Sequence, residues 1–217
     1  MLRNYLQSAA RGMWRLSMAG MPKGEHIVRY QMYKAIQRQV SGVEFGPRVL
    51  SISHSGTLCS VLGIRENSVS EANYPEQDIC NLSLQPDTYS AVISDQVFEH
   101  ISCVPERAVD EVYRVLAPGG IAVHTTCFLT PYHGSRDFAD ASNGDYWRFT
   151  PSGLQLLHRR YSRVIAADGW GNPLMPLVGG LGLNWMPVPE ASWHPLNKLA
   201  RFNRASYAFV VWVIAQK

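Results

Sequence analysis

The sequence predicts an α/β fold built on a mostly parallel, doubly wound sheet. Three observations carry that reading. Residues 90–95, Ser-Ala-Val-Ile-Ser-Asp, form a brief apolar run closed by a carboxylate. This is the pattern of a strand buried on both faces whose C-terminal end opens onto a ligand crevice. Downstream, Val104, Ala108, Val109, Val112, Val115 and Leu116 recur at three-four spacing, giving a helix over 104–116 one apolar face. Residues 121–128 then resume an apolar strand after Pro118-Gly119-Gly120, where proline cannot continue a helix and glycine accepts a left-handed exit. Strand, helix and strand joined by short turns form a crossover unit of a parallel sheet.

The other elements follow in order. Leu2, Leu6, Ala9, Met13 and Leu16 make residues 2–18 an amphipathic helix interrupted at Gly12. Residues 24–40 form a second helix with Ile27, Tyr30, Tyr33 and Ile36 on one side. Residues 48–53 are the first strand, 57–62 a short helix, 67–72 the second strand, and 75–79 lead into a short third strand. Thr150 as cap and Pro151 in the first helical position start a helix over 151–160. Residues 164–167 and 205–215 supply the last strands. In the latter, Tyr207, Phe209, Val211 and Val213 alternate with Ala208, Val210 and Trp212, apolar on both sides as burial requires. Residues 169–204 form a long segment rich in Gly, Pro and Trp, and segments of that length are usually functional or disordered.

A chain of 217 residues, 46% apolar and 17% charged, can bury a large core without metals or disulfides. It reads as one domain over residues 41–217 behind a basic helical extension, residues 1–40. That extension holds seven Lys and Arg against Glu25 alone, a net +6 in a chain of net +3. Three roles compete for residues 2–18: a helix packed over the domain, attachment to an anionic membrane surface, and an organelle-targeting peptide. Cys59, Cys80, Cys103 and Cys127 lie more than twenty positions apart, which removes a paired-cysteine zinc site and reads as four reduced, buried thiols in a cytoplasmic protein. The longest apolar run, 207–215, is nine residues, about half of a membrane-spanning helix. The basic front end lacks the interleaved aromatics of a nucleic-acid platform. No GxGxxG turn of a dinucleotide oxidoreductase is present.

The segment Asp87-Thr88-Tyr89-Ser90-Ala91-Val92-Ile93-Ser94-Asp95-Gln96-Val97-Phe98-Glu99-His100-Ile101, followed by Glu111-Val112-Tyr113-Arg114-Val115-Leu116-Ala117-Pro118-Gly119-Gly120, resembles the class I S-adenosylmethionine-dependent methyltransferases of the type 11 kind. His133, the run Asp145-Tyr146-Trp147-Arg148-Phe149-Thr150 and Gly169-Trp170-Gly171-Asn172 resemble a subgroup associated with polysaccharide or other carbohydrate pathways. The likeness covers residues 47–217, about four fifths of the chain. It implies a Rossmann-like sheet of seven strands whose last strand is antiparallel and inserts beside the fifth. It also implies S-adenosyl-L-methionine as cofactor and a small-molecule acceptor carrying a hydroxyl, a sugar or glycan intermediate.

The resemblance carries over to particular residues. Ser51, Ser53, Ser55 and Gly56 match the loop facing the methionine part of the cofactor, Asp78 with Ile79 the adenine contact, and Asp95 with Gln96 the strand end beneath the sulfonium. Glu71 is the candidate for the ribose hydroxyls. One departure stands out: Ser51 replaces the usual acid and of the loop glycines only Gly56 is kept, so His54 has to turn outward if a cofactor is to fit. His133, in a loop after the fifth strand, is the candidate base for a hydroxyl proton, with Asp145 to orient it or bind a hydroxyl. The alternative is that His133 only hydrogen-bonds its own loop. Tyr146 and Arg148 suit stacking on a sugar or binding an anionic substituent, and Trp170 and Asn172, with Trp185 and Trp193, extend the acceptor pocket. Glu99 and His100 are neighbours that point in different directions and read as structural. No metal site is expected. The altered loop leaves a second function open, a non-catalytic module that keeps the fold for binding or assembly.

Overall fold

The computed structural model describes residues 2–135 and 144–217. In chain order the elements are α1 (Leu2–Ser17), β1 (Lys23–His26), α2 (Ile27–Gln39), β2 (Val49–Ile52), α3 (Gly56–Val61), β3 (Val69–Ala72), β4 (Tyr89–Asp95), α4 (Pro105–Val115), β5 (Leu116–Cys127), α5 (Pro151–Leu157), β6 (Arg163–Trp170), α6 (Met175–Gly180), β7 (Pro187–Pro189), α7 (Pro195–Arg201) and β8 (Val210–Gln216). They fall into two units: residues 36–169 with 210–217, and residues 1–35 with 170–209.

The larger unit is built on a six-stranded sheet in the order β3-β2-β4-β5-β8-β6. Strands β3, β2, β4 and β5 run parallel, and β8 lies antiparallel beside β5. The doubly wound architecture and the inserted antiparallel strand are those expected. β8 is buried from Val210 to Ala215, which accounts for its apolar residues on both faces. From β2 the chain winds outward to β3, then returns to β4 on the other side. The order therefore reverses between β2 and β4, and such a switch point leaves a crevice at the C-terminal strand ends.

Among the described residues the main sheet has six strands rather than seven, because residues 75–79 do not join it. Pro75 has no N–H to give a ladder. Gln77 N donates to Asn73 O at 2.9 Å and Cys80 N to the Asp78 carboxylate at 2.8 Å, so local turns satisfy the backbone there. A disulfide joins Cys80 to Cys103 across 6.1 Å between Cα atoms, which corrects the reading of four reduced thiols; Cys59 and Cys127 are free and buried. α5 opens as expected, with Thr150 Oγ1 accepting from Gly153 N at 3.0 Å and Pro151 in the first turn. The extended segment after α4 begins at Leu116 rather than at 121, with Gly119 at φ +79°.

In the smaller unit, the expected helix over 24–40 yields its first turn to β1, which pairs antiparallel with β7. Gly24 permits this: a Cβ there would lie 2.5 Å from Glu190 Oε1 and 2.7 Å from the Tyr30 ring. The Gly-, Pro- and Trp-rich segment is ordered by α6, β7 and α7 and by buried polar pins. Asn197 Nδ2 donates to Pro189 O at 2.7 Å, and His194 bonds Ser17 O at 3.1 Å.

Candidate functional site

At the switch point the structure opens a cavity of about 340 Å³, within the range of roughly 300–1,000 Å³ usual for small-molecule sites. Ser53 and His54, just beyond β2, form one wall, and Gln96, Val97 and His100, just beyond β4, form another. Tyr74, Gln77, Asp78 and Ile79 contribute a third. The β2 turn is bent by two consecutive left-handed residues, Ser53 at φ 51° and His54 at φ 62°, a conformation that costs non-glycine residues energy. Three hydrogen bonds hold it: Ser53 N to Ala72 O at 3.0 Å, His54 N to Asn73 Oδ1 at 2.9 Å, and Asp95 N to Ser55 Oγ at 2.8 Å. Ser55 is buried and its hydroxyl also donates to Ile52 O at 2.5 Å, so it ties the turn to both strands. His54 is exposed at the cavity wall.

Of the residues expected at the cofactor, Ser53, Asp78, Ile79 and Gln96 line the cavity. Ser51 is buried within β2. Gly56 opens α3, and a Cβ added to it would meet nothing closer than Glu71 Oε1 at 3.7 Å, so the backbone there is open to close approach. Glu71 lies exposed on β3, paired in register with Ser51. Asp95 stands at the end of β4 with its carboxylate accepting from Thr125 Oγ1 at 2.6 Å, outside the cavity wall. Asp78 holds its own loop through Cys80 N.

Beside the cavity, residues 144–149 strap across the end of β5. Tyr146 N and Trp147 N donate to Glu99 O at 2.7 and 3.2 Å, and Trp147 Nε1 donates to Ile101 O at 3.0 Å. Glu99 and His100 do diverge. Glu99 is fully buried, accepting from Thr126 Oγ1 at 2.8 Å, and burial pushes its carboxyl above the usual range against those hydrogen bonds. His100 faces the cavity, with Nδ1 bonded to Gly144 O at 2.5 Å. Its ring packs edge-on against His133, centroids 5.1 Å apart.

His133 and Asp145 are brought together. His133 N donates to Asp145 Oδ2 at 2.8 Å, and its Nδ1 lies 3.1 Å from Pro131 O and 3.3 Å from Asp145 Oδ2. Nδ1 therefore carries the proton, and Nε2 is the basic nitrogen. The Asp145 side chain has no exposed surface and receives both terminal nitrogens of Arg148. Burial opposes its ionisation, but the Arg148 guanidinium and the His133 N–H outweigh this and hold its carboxyl below the usual range. Arg148 also donates from Nε to Thr130 O at 3.0 Å, so its fork is taken up inside the loop. Tyr146 is exposed on the strap itself. Trp170 is fully buried, and Asn172, also buried, donates to Phe202 O and accepts from Leu174 N within the smaller unit; neither lines the cavity.

Sequence reasoning did not single out Tyr74, Gln77 or Val97, and set His100 aside. The signal for His100 lay in its place directly after a buried strand, where one of two neighbouring polar residues turns to the core and the other to the crevice.

A doubly wound sheet with an antiparallel strand inserted beside β5 and a crevice at its switch point is the architecture of the S-adenosylmethionine-dependent methyltransferases. Residues 24–124, a little under half of the chain, match the family model of a methyltransferase domain. None of the curated proteins compared with it matches. Among solved structures it resembles an S-adenosylmethionine-dependent methyltransferase from Mesorhizobium loti, with 13% identity, TM-score 0.53, and 88% of this chain and 98% of that one covered. It also resembles the [4+2]-cyclase SpnF, at 14% identity, TM-score 0.51 and coverage of 98% and 93%. A third is phosphoethanolamine N-methyltransferase 2 from Haemonchus contortus, at 14% identity and TM-score 0.51, where 87% of this chain spans 53% of that one. At such identities these likenesses establish the fold. The cavity's own chemistry fits the cofactor: a carboxylate and an aliphatic wall at Asp78 and Ile79 suit an adenine, and the open backbone at Gly56 leaves room beside the β2 turn.

Proposed function

We propose that the domain methylates a small hydroxylated acceptor, a sugar or glycan intermediate, at the cavity between the ends of β2 and β4. The observation that carries this reading is the contiguity of that cavity with an imidazole pair: His100 in its wall and His133 stacked edge-on behind it. When bound, S-adenosylmethionine supplies a methyl group activated by a sulfonium. Asp78 and Ile79 hold the adenine end, and Ser53 and Gln96 meet the part nearer the sulfur. His133, its Nδ1 proton held by Pro131 O and the Asp145 carboxylate, presents Nε2 to take the acceptor hydroxyl proton. Asp145, kept ionised by Arg148, orients that imidazole. Alignment and exclusion of water do most of the work in such a displacement and account for several kcal/mol, on the order of 7 or more at best.

Calorimetric titration with S-adenosylmethionine and S-adenosylhomocysteine tests the reading. Micromolar binding is expected, followed by methyl transfer to a hydroxylated sugar that falls at least about 100-fold in His133→Ala while cofactor affinity holds. A second reading, a non-catalytic binding module, draws on one observation: two left-handed non-glycine residues, Ser53 and His54, stand where glycines are usual. No heat and no thermal shift at millimolar cofactor would establish it, since a ligand of the native state must raise stability.

A further inference from the structure

The smaller unit exposes an apolar helix face in a strongly basic setting. Among the described residues, α1 is anchored through the side that carries Gln7 and Trp14. Gln7 Nε2 donates to Gly180 O at 3.1 Å, the buried Trp14 donates from Nε1 to Pro187 O at 2.8 Å, and Ser17 O accepts from His194 at 3.1 Å. The apolar stripe of the helix lies elsewhere. Tyr5, Leu6, Met13 and Leu16 are 74%, 52%, 67% and 76% exposed, and at 3.6 residues per turn they centre about 140° around the helix from Gln7 and Trp14. The side chain of Leu2, which continues the stripe in sequence, lies outside the described residues. Further large apolar side chains sit beside the anchor points: Leu177 near Gly180, Trp185 near Pro187 and Trp193 next to His194, each at least 63% exposed.

Charge selects the occupant of this face. The smaller unit holds nine Lys and Arg against two Glu, a net of +7, while the larger holds eleven against fifteen Asp and Glu, a net of −4. α1 contains no acidic residue, and Glu190, one of the two acids, is paired with Lys34 at 2.6 Å. An acid-free helix with an apolar stripe, a polar face bearing Arg11 and Arg15, and exposed tryptophans nearby is the composition of a helix lying in a lipid interface. The surplus positive charge adds attraction to anionic headgroups.

We infer that the smaller unit is a peripheral membrane-binding module, which sets Tyr5, Leu6, Met13 and Leu16 into the surface of an anionic bilayer. The full chain should co-sediment with phosphatidylcholine vesicles containing phosphatidylserine at least about tenfold better than with pure phosphatidylcholine, less so as salt rises. The triple variant Leu6→Gln, Met13→Gln, Leu16→Gln should lose this binding while its circular dichroism, melting temperature and S-adenosylmethionine titration match the parent. Arg11→Gln with Arg15→Gln should keep residual binding and lose the preference for the anionic lipid. Absence of binding to either vesicle would overturn the inference. So would a dimer in solution that the triple variant dissolves, which would give the face to a second copy of the chain.

Discussion

Asp78 does two things at once, and they can be separated. One carboxylate oxygen closes a local turn by accepting from Cys80 N, while the residue also forms part of the cavity wall. Asp78→Asn keeps an oxygen for the turn and removes the charge. It should leave the melting temperature within a degree or two, yet weaken S-adenosylmethionine binding about tenfold, the loss of one charge-assisted hydrogen bond. Calorimetry alongside a thermal melt checks this, and an equal loss of affinity in Glu76→Gln, exposed two residues earlier, would put the adenine elsewhere. At this scale the sequence was legible where a residue's place at the cavity follows from its strand position. Ser53, Asp78, Ile79 and Gln96 all sit beyond strand ends in the expected crevice. It was not legible where tertiary partners decide. Nothing local tells that the Asp95 carboxylate turns to Thr125, that Arg148 is consumed by Asp145, or that His100 rather than Glu99 meets the cavity.

Among elements, two of the three walls of the cavity are sewn together. Cys80 follows Asp78-Ile79, and Cys103 follows Ile101-Ser102, so the disulfide closes a loop that contains β4 and the wall beyond it, and ties that wall to the end of the Tyr74–Ile79 wall. A closed loop of this length contributes about 3 kcal/mol in the chain-entropy account. Reduction, or Cys80→Ser, should lower unfolding free energy by about that amount and weaken cofactor binding as the walls separate. Denaturant melts with and without a reductant, paired with titrations, measure both effects. Such bonds persist in oxidising compartments, so the thiol content of the isolated protein also tests the expectation of a cytoplasmic setting. Sequence spacing could not reveal the pairing, because the turn at 75–79 and the chain between β4 and α4 approach only in the folded state. The absent third strand has the same kind of cause. Its apolar signal was short, and Pro75 with the Asp78 turn outweighed it. By contrast the β4-α4-β5 crossover was readable, because two apolar strand runs flank an unbroken three-four helical spacing with a clear Pro-Gly-Gly stop between helix and strand.

For the molecule as a whole, acid is the expected weakness. His124 and His158 are fully buried, their rings 5.5 Å apart. Ser94 Oγ lies 2.7 Å from His124 Nδ1, and Leu154 O is 2.8 Å from His158 Nδ1. Burial lowers both, His158 to about 4 and His124 well below its usual value, where the neighbouring His158 adds repulsion. The unfolded chain therefore binds protons that the folded chain refuses. Their contribution to stability is intact above pH 6.5 and is lost as pH falls from there toward 4, by about 3 kcal/mol for His158 alone. Urea midpoints between pH 7 and 4.5 should fall accordingly, and His158→Gln should flatten the slope; an unchanged slope would mean these rings are hydrated. The division of charge between the two units has a consequence of its own. Two copies meeting in dilute buffer carry the same overall sign, yet the basic part of one and the acidic part of the other attract. Ions that screen this attraction should dissolve the protein rather than precipitate it, so that its solubility follows the placement of charge more closely than the total.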